Sequence, residues 1–460
     1  MKIAEAQPHP ASYRDPSGFV FRSGDRWYRQ VNTSYAGNYR QLMDTGLYTA
    51  LTKKKWMIPH TELDENLTGH PDCFKTLLPQ QLPFISYPVE WSPAQLMDAA
   101  LLTLAILRES VDHDMILKDA SPLNIQFLEG RALFIDTLSF ERYDGSRPWV
   151  AYRQFCECFL YPLYLHHYHR QGTHRTLLAW PEGIPAAETL SLLPGRSRFR
   201  LSTWLHVSLP ARIRERNSGD PKDLSFDKHK LRLLIDNLET AIRHLDIAPR
   251  KAGGWSVYYS DSILTQSYLQ EKEKLFREML AALSFASALD LGTNDGYFAK
   301  ILAEKKAMVI AADSDWACIS TLYRSAAGSS LYPLCVDIAD PTPASGFDNV
   351  ERTAFTTRAQ SDLVTALALL HHLVLSKNIP FGMLADYFAT LTRCFLIVEF
   401  IPATDEKAVL LTRNKSFFHT PYDVSSFEAQ FSRRFAIERR SPIPGTERLL
   451  YLMRKKERHP

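Results

Sequence analysis

The sequence predicts an α/β protein whose C-terminal half is a doubly wound, mainly parallel sheet of seven strands. Between residues 258 and 456, short apolar runs alternate with helical stretches, and such alternation produces parallel strands joined by helices. The stretch ALDLGTNDGYFAKIL, residues 288 to 302, contains an apolar strand, a glycine-bearing turn and the start of a helix. Because α/β proteins hold nucleotide-like cofactors at such turns, the segment predicts a cofactor site.

Seven apolar segments define the predicted strands, and the helix SYLQEKEKLFREMLAAL precedes the first of them. The last two segments follow each other without a helical stretch, so we predict that they form a terminal antiparallel pair. The segments are ASALDLG (286–292), AMVIAAD (307–313), LYPLCVD (331–337), DLVTALAL (362–369), CFLIVEF (394–400), FAIERRSP (435–442) and RLLYLMR (448–454).

The composition indicates a folded protein of more than one domain. A chain of 460 residues exceeds one ordinary domain, and a hydrophobic fraction of 45% is ample for large cores. The net charge of +3 is too small and too dispersed for nucleic-acid binding, which requires a concentrated basic face. Six cysteines in this length do not indicate a disulfide framework, and we expect Cys156 and Cys158 to be reduced, partly buried thiols.

The N-terminus, MKIAEAQPHPASYRD, lacks the apolar core of a secretory signal. No apolar run approaches the roughly 20 residues that are needed to span a bilayer. We therefore expect a cytoplasmic protein with no membrane partner.

The N-terminal half is predicted to be an α+β domain with a helical lobe. Residues 14 to 34 contain apolar runs on both sides of SGD, which predict a β-hairpin. From about residue 36 to residue 110 the pattern is helical, with Ser92 as an N-cap and Pro93 at the first helical position. Short apolar segments return between residues 115 and 140.

A long helical, aromatic-rich region begins at WVAYRQFCECFLYPLYLHHYHRQ and reaches about residue 248. The stretch APRKAGGWSVY, residues 248 to 258, combines proline, two glycines and basic residues, and is the predicted linker. The predicted domains are residues 1–250, composed of 14–150 and a helical lobe 151–250, and residues 258–460.

The turn after the first C-terminal strand discriminates between cofactors. A dinucleotide fold uses G-x-G-x-x-G, whose second glycine lets a pyrophosphate approach the helix N-terminus. Here the glycines are Gly292 and Gly296, with Asn294 and Asp295 between them and Asp290 in front. Carboxylates repel a pyrophosphate but attract the ammonium and sulfonium groups of S-adenosylmethionine. The turn therefore favours S-adenosylmethionine.

The ends of the next two predicted strands supply further candidate cofactor contacts. Asp313 follows Gly292 by 21 residues, where an acid that binds two ribose hydroxyls is expected. Trp316 is placed to pack against an adenine base, and Asp337 to accept a hydrogen bond from its exocyclic amine.

The D-x-G-x-x-x-G turn resembles motif I of class I S-adenosylmethionine-dependent methyltransferases. Asp313, Asp337 and DLVTALALLHHL match later motifs of that family in order and spacing. The resemblance covers residues 258 to 456. It implies a Rossmann-like fold that binds S-adenosylmethionine, with Ala366 also at the cofactor. The alternative is a doubly wound domain whose acids only cap strands and helices.

Candidate catalytic residues follow the fourth and fifth strands. Methyl transfer is an in-line displacement, so the protein must chiefly align the nucleophile and exclude water. If the nucleophile is a hydroxyl, a base assists, and His371 or His372 is the candidate. The alternative is that both histidines cap or pack the following helix. Glu399 is a second candidate, either shaping the acceptor pocket or orienting a backbone amide.

The stretch LKDASPLNIQFLEGRALFIDTLSFE, residues 117 to 141, resembles the catalytic loop and metal-binding acid of protein-kinase-like and aminoglycoside-phosphotransferase-like folds. That resemblance implies that Asp119 positions a hydroxyl and that Asn124 and Asp136 hold magnesium. Leu117 stands where the family has histidine, IDTLS lacks the D-F-G glycine, and RWYRQV offers arginines where a lysine is expected. The resemblance therefore implies a degenerate kinase-like domain that binds a substrate, nucleotide or partner, with Mg-ATP use as the alternative.

The histidines of LHHYH, His166, His167 and His169, do not predict a metal site. Adjacent helical residues point in different directions, and no cysteine or acid completes a ligand set at i+4. We expect them to pack among aromatic side chains, and we predict no metal in the protein.

The whole chain resembles the bacterial group of nodulation-protein NoeA-like methyltransferases, through ASYRDPSGFVF, YRQVNTSYAGNY, LKDASPLNIQF and FIDTLSFE. The predicted function is methyl transfer from S-adenosylmethionine to a small-molecule or glycan acceptor. The N-terminal domain is expected to recognise the acceptor or a protein partner. The alternatives are a non-catalytic ligand-binding or regulatory protein, and a phosphotransferase that uses the N-terminal site.

Overall fold

The computed structural model describes residues 6–216, 226–248, 266–413 and 421–457. The chain divides into two compact units, one formed by Met1–Ala248 with Ala344–Arg352 and the other by Pro249–Pro343 with Thr353–Pro460. Apart from Ala248, the linker predicted at residues 248 to 258 lies outside the described residues.

The first unit begins with an antiparallel sheet in the order β1-β2-β3-β5-β4. The predicted hairpin is confirmed, because β2 and β3 pair from Gly18 opposite Val31 to Ser23 opposite Arg26. Phe21 and Val31 are fully buried and anchor the hairpin in the core. The strands are β1 (Gln7–Pro8), β2 (Gly18–Ser23), β3 (Arg26–Asn32), β4 (His60–Leu63) and β5 (Cys73–Pro79).

The helical region predicted between residues 36 and 110 is interrupted by strands β4 and β5, so that prediction is wrong in its middle. These short strands are recognisable only through pairing, because β5 joins β3 across more than 40 residues of chain and β4 pairs with β5. The helices of this region are α1 (Ala36–Asp44), α2 (Leu47–Lys53) and α3 (Pro93–Asp112).

Helix α3 begins as predicted. The Ser92 hydroxyl accepts the N–H of Gln95, the Gln95 side chain accepts the N–H of Ser92, and Pro93 occupies the first position. This capping box satisfies two backbone donors that a helix start leaves unpaired. After α3, the strands β6 (Met115–Leu117), β7 (Ile125–Leu128), β8 (Arg131–Phe134) and β9 (Phe140–Arg142) form the pairs β6-β9 and β7-β8.

The region after residue 151 is helical, as predicted. Its core is aromatic, since Phe155, Phe159, Tyr161 and Tyr164 are almost fully buried. The free thiols of Cys156 and Cys158 are buried in this core. The helices are α4 (Tyr152–Phe155), α5 (Tyr161–His169), α6 (Thr173–Ala179), α7 (Ala186–Leu192), α8 (Leu201–Thr203), α9 (Leu209–Arg216) and α10 (Lys228–Arg243), with π-helical turns at Cys156–Leu160 and Trp204–Ser208.

The second unit is a seven-stranded Rossmann-like sheet, which confirms the predicted fold of the C-terminal half. Its order is β12-β11-β10-β13-β14-β16-β15; the pairs β14-β16 and β16-β15 are antiparallel, and the other four pairs are parallel. The strands are β10 (Ser287–Leu291), β11 (Met308–Asp313), β12 (Leu331–Cys335), β13 (Ser361–Ala366), β14 (Thr392–Phe400), β15 (Phe435–Pro442) and β16 (Leu449–Lys455).

The helices of this unit supply apolar residues to a core against the sheet. Phe276, Leu302 and Leu322 from three different helices join Val309 and Ile397 of the sheet in one cluster. The helices are α11 (Gln266–Ala281), α12 (Tyr297–Ala303), α13 (Trp316–Ser325), α14 (Phe355–Arg358), α15 (Phe381–Leu391), α16 (Glu406–Thr412) and α17 (Val424–Phe431).

Candidate functional site

The predicted cofactor residues of the second unit follow neighbouring parallel strands at one edge of the sheet. Strand β10 lies between β11 and β13, and Leu291 pairs with Ala312 on one side and with Ala366 on the other. The ends of β10, β11 and β13 therefore lie side by side. In open α/β sheets, ligands bind at this carboxyl edge, where the strand order reverses.

The turn after β10 has a backbone that requires glycine at two positions. Gly292 has a φ of +70° and Gly296 a φ of +80°, in the left-handed region that side chains disfavour. A Cβ on Gly296 would also lie 2.3 Å from Leu322 Cδ1. Backbone conformation at both positions, and packing against Leu322 at Gly296, therefore require glycine in this turn.

Asp290 is a buried carboxylate within an otherwise uncharged strand. Thr293 Oγ1 donates to its Oδ2 at 2.7 Å, and Thr365 Oγ1 donates to its Oδ1 at 2.5 Å. Burial raises the pKa of Asp290 to about 6, and the two hydroxyl donors oppose that rise. Asp290 thus connects β10, its own turn and β13. Thr293 and Thr365 were not predicted as site residues, although both stand beside predicted residues in the sequence.

Asp313 at the end of β11 fixes the same turn from the other side. Its Oδ2 accepts the N–H of Asn294 at 2.9 Å, and its Oδ1 accepts the N–H of Asp315 at 2.9 Å. Asn294 itself has a φ of +51°. Burial raises the pKa of Asp313, while the backbone donors lower it. The carboxylate therefore lies at the edge with its orientation already set by the backbone.

Trp316 and Asp337 lie where the next two segments leave the sheet. Trp316 is the first residue of α13 and is half-buried. Asp337 follows β12; its Oδ1 accepts the N–H of Ala339, and its Oδ2 lies 3.6 Å from Lys377 Nζ. Their predicted contacts with an adenine base stay a prediction.

The loop after β13 carries the two candidate histidines. His371 is fully buried, and neither ring nitrogen has a hydrogen-bond partner among the described residues. The ring centroids of His371 and His372 are 4.0 Å apart. Burial lowers the pKa of both rings, to about 4 for His372, and the positive charges of Arg448 and Lys272 lower that of His371 further. Both imidazoles are therefore uncharged near neutral pH.

Glu399, at the end of β14, belongs to a buried ionic cluster. Lys272 Nζ lies 2.5 Å from its Oε2, and Tyr268 donates to its Oε1 at 2.6 Å. The N–H of Ala368 donates to Oε2 at 2.9 Å, which is the backbone-amide role weighed for Glu399 from the sequence. The positive charges of Lys272 and Arg448 lower the pKa of Glu399 against the opposing effect of burial. Its predicted catalytic role stays a prediction.

In the first unit, two of the three predicted metal-site residues are joined through Ser139. Asn124 Nδ2 donates to Ser139 Oγ at 3.1 Å, and Ser139 Oγ donates to Asp136. Arg29 of β3 forms an ion pair with the same Asp136 carboxylate, and both side chains are mostly buried. The set does not fit a divalent cation, because Asp136 already holds the guanidinium of Arg29.

Asp119 accepts a hydrogen bond from its own loop and does not join the cluster of Asn124, Ser139 and Asp136. Its Oδ1 accepts the N–H of Ser121 at 3.0 Å, while the preceding Lys118 donates to Ser17 and Asp15. The arginines of RWYRQV are visible in the sequence, but their spacing does not indicate that Arg29 pairs with Asp136. The presence of a basic residue on β3 is the sequence feature that could have indicated a partner for Asp136.

The histidines of LHHYH contact backbone groups. His166 Nδ1 lies against the carbonyl of Gln171, His169 Nε2 lies 2.8 Å from the carbonyl of Leu192, and His167 Nδ1 accepts the N–H of Asp246. Within residues 6–216, 226–248, 266–413 and 421–457, no group of three or more metal-ligating side chains is present. In the same ranges, no helix is both long enough and apolar enough to cross a membrane.

The strand order and the acids at the strand ends define the class of the second unit, a Rossmann-like α/β domain of the kind that binds a ligand at the carboxyl edge of its sheet. Along its whole length the chain is similar to the nodulation protein NoeA of Rhizobium meliloti (strain 1021). The two are 29% identical over 479 aligned positions, which cover 99% of this chain and 98% of the relative. The predicted resemblance to the NoeA-like group is therefore confirmed. The chain matches no known sequence-family profile.

Two solved methyltransferase structures are similar to part of the chain. The N-methyltransferase NodS from Bradyrhizobium japonicum WM9, in complex with S-adenosyl-L-homocysteine, is 16% identical, with a TM-score of 0.33 over 45% of this chain and 94% of that chain. The magnesium protoporphyrin IX methyltransferase ChlM from Synechocystis PCC 6803, with bound SAH, is 15% identical, with a TM-score of 0.31 over 44% and 93%. At these scores neither likeness carries an assignment, so the class rests on the strand order and the strand-end residues.

Proposed function

We propose that the second unit transfers a methyl group from S-adenosylmethionine to a small-molecule or glycan acceptor. The observation that carries the proposal is the turn from Asp290 to Gly296 at the carboxyl edge of the sheet, whose Asn294 N–H donates a hydrogen bond to the Asp313 carboxylate. The whole-length similarity to NoeA supports a function shared across both units.

The chemistry of the edge fits this cofactor. S-adenosylmethionine carries an ammonium and a sulfonium group, and five carboxylates lie at or just beyond the carboxyl ends of β10, β11 and β12. Among the described residues, the member of these five carboxylates that forms an ion pair is Asp337, whose partner is Lys377. The excess of negative charge favours a cation and disfavours a pyrophosphate. The carboxylates are those of Asp290, Asp295, Asp313, Asp315 and Asp337.

The residues of the edge then have separate roles. Asp313 binds the ribose hydroxyls, Asp290 stabilises the turn and the cationic end, and Trp316, Asp337 and Ala366 line the adenine side. When bound, S-adenosylmethionine supplies a methyl group that its sulfonium already activates. The protein must align the acceptor and exclude water. An uncharged His371 or His372 accepts a proton from a hydroxyl acceptor.

A small molecule or glycan is the acceptor class favoured by the charge distribution, because no concentrated basic face for nucleic acid is present in the sequence. We assign acceptor or partner recognition to the first unit, as a degenerate kinase-like domain. The ion pair between Arg29 and Asp136 disfavours the phosphotransferase alternative, since it takes the acid that would bind magnesium.

The test is thermal stabilisation of the full chain by S-adenosylmethionine, S-adenosylhomocysteine, NAD and Mg-ATP in parallel. A ligand at about a hundredfold its dissociation constant stabilises by about 2.7 kcal/mol. We expect a shift with the two adenosyl sulfur compounds alone. Transfer of labelled methyl groups to a panel of free sugars then distinguishes an enzyme from a non-catalytic binding protein. Absence of a shift with both sulfur compounds overturns the proposal.

A further inference from the structure

The second unit buries three charged side chains in one cluster beneath the loop that follows β13. Lys272 comes from α11, Glu399 from the end of β14, and Arg448 precedes β16. Lys272 and Glu399 are 0% exposed and Arg448 is 1% exposed. A buried ion pair is often no more stabilising than apolar residues of similar volume, so general stability does not explain the cluster.

The hydrogen bonds of the cluster converge on Glu399. Its Oε1 accepts the hydroxyl of Tyr268, and Arg448 Nη1 donates to that same hydroxyl at 2.8 Å. Arg448 is held in turn by both carboxylate oxygens of Asp405, at 2.8 and 3.0 Å. The carboxylate of Glu399 is therefore fixed in position by side chains from three separate segments.

The remaining contact of Glu399 is with the backbone of the loop. Its Oε2 accepts the N–H of Ala368, and Ala368 has a φ of +50°. A non-glycine residue in this conformation is strained by about 1 kcal/mol or more, and persists where surrounding contacts determine it. Ala368 lies two residues after Ala366, the end of the strand beside β10, and three residues before His371.

We propose that Glu399 is a positioning residue, which fixes the loop from Leu367 to His371 at the cofactor edge through the amide of Ala368. Lys272 and Arg448 keep the carboxylate charged and oriented for that contact. The inference rests on the proposed methyltransferase function. It assigns to Glu399 a structural action on the loop and no contact with the reacting atoms.

The loop is also where Leu369 packs against the glycine turn. A Cβ on Gly292 would lie 3.1 Å from Leu369 Cδ1 and 3.4 Å from its Cβ, so the loop and the turn after β10 are in close contact. A shift of the loop would therefore change its packing against the turn that is proposed to hold the cofactor. Displacement of Ala368 is expected to weaken cofactor binding as well as loosen the loop.

The experiment compares E399Q and the double variant K272M/E399Q with the wild-type chain. E399Q leaves the Lys272 charge uncompensated, whereas the double variant removes both charges and keeps similar side-chain volumes. The control is E278Q, which removes the exposed ion pair of Glu278 with Arg439 from the same helix α11. Amide hydrogen exchange of residues 366–372 and titration with S-adenosylhomocysteine are the two readouts, and the melting temperature verifies folding.

We expect both Glu399 variants to exchange the loop amides faster, and to bind S-adenosylhomocysteine about tenfold more weakly, which corresponds to 1.4 kcal/mol. E278Q should match the wild-type chain in both readouts. Wild-type exchange and affinity in a folded K272M/E399Q variant would overturn the inference. If the wild-type chain itself fails to bind S-adenosylhomocysteine, the proposed function fails, and loop exchange alone then decides the role of Glu399.

Discussion

Asp313 Oδ2 accepts the backbone N–H of Asn294 at 2.9 Å, which ties the end of β11 to the turn after β10. Because Asn294 is in the left-handed region, this bond holds a conformation that the chain would otherwise leave. The second oxygen of Asp313 orients the start of the following segment through Asp315. The carboxylate is thus oriented before any ligand arrives, and such preorganisation lowers the cost of binding.

Replacing Asp313 with alanine should weaken cofactor binding strongly. The variant loses the acceptor of the proposed ribose hydrogen bonds and the carboxylate that accepts the Asn294 N–H, and loss of a buried acceptor costs about 1–3 kcal/mol. The dissociation constant for S-adenosylhomocysteine, measured by titration calorimetry, should rise by about tenfold or more.

The matched control is D423A, which removes the N-cap carboxylate that accepts the N–H of Ser426 in the same unit. Loss of this cap should lower the free energy of unfolding by about 1 kcal/mol and leave the dissociation constant unchanged. Wild-type affinity in D313A would contradict the assignment of Asp313 to the cofactor.

Asp290 should make stability depend on pH. Its pKa is raised from 3.8 to about 6 in the folded chain, so between these values the folded state holds a proton that the unfolded state has lost. The contribution of Asp290 to stability is therefore highest at low pH and falls as the pH rises to about 6. D290N lacks this effect, and should gain about 3 kcal/mol relative to wild type between about pH 4 and pH 7, since one pKa unit is 1.36 kcal/mol.

The measurement is urea unfolding of wild type and D290N across this pH range. D295N serves as the control, because Asp295 neighbours the same turn and its carboxylate accepts a backbone N–H from Tyr297. D295N makes the same carboxyl-to-amide change beside the turn, so it separates the effect of that change from the effect of burying Asp290. A difference between D290N and wild type that is independent of pH would contradict the raised pKa.

The strands of the second unit were predicted well because they are apolar and evenly spaced, and because each can be recognised from its own residues alone. All seven predicted strands are present, with the terminal antiparallel pair. The ionic cluster at Glu399 was not predicted beyond Glu399 itself. Lys272 lies in a helix rich in charged residues, where the sequence cannot distinguish a buried lysine from a solvated one.

In the first unit, the sequence failed where the structure depends on distant pairing. Strands β4 and β5 are short, and β5 pairs with β3 only after two helices have intervened. The ion pair between Arg29 and Asp136 likewise joins residues 107 positions apart. Neither relationship has a periodic or spacing signal, so both required the structure.

Removing Arg29 should destabilise the first unit and expose Asp136 to cations. In R29A, the mostly buried Asp136 keeps only the Ser139 hydroxyl and the N–H of Leu138, so we expect a loss of about 1–3 kcal/mol in the free energy of unfolding. R22A, which removes an exposed ion pair in the same hairpin, should cost less than about 1 kcal/mol.

The same two variants test whether Arg29 prevents Mg²⁺ from binding at Asp136, by thermal unfolding in ATP with and without Mg²⁺. The wild-type chain should show no magnesium-dependent stabilisation, because Arg29 occupies Asp136. R29A should gain sensitivity to Mg²⁺, whereas R22A should not. Magnesium-dependent ATP consumption by the wild-type chain that D136A abolishes would overturn this assignment and restore the phosphotransferase alternative.

His371 and His372 should not titrate near the usual histidine pKa of about 6.5. Burial lowers the pKa of both, to about 4 for His372, and the positively charged side chains facing them, Arg448, Lys272 and Lys407, act in the same direction. A buried neutral histidine contributes stability above the pKa of the unfolded chain, and that contribution is lost as the pH falls towards its folded pKa.

Nuclear magnetic resonance of the ring nitrogens should therefore show no titration midpoint between about pH 5 and pH 8 for either His371 or His372. If His371 is the base, H371N should lower methyl transfer by about 10²-fold or more, while H372N retains most of it. A titration midpoint near 6.5 for His371 would show that the ring is solvated and charged in the free chain, contrary to its burial in the structure.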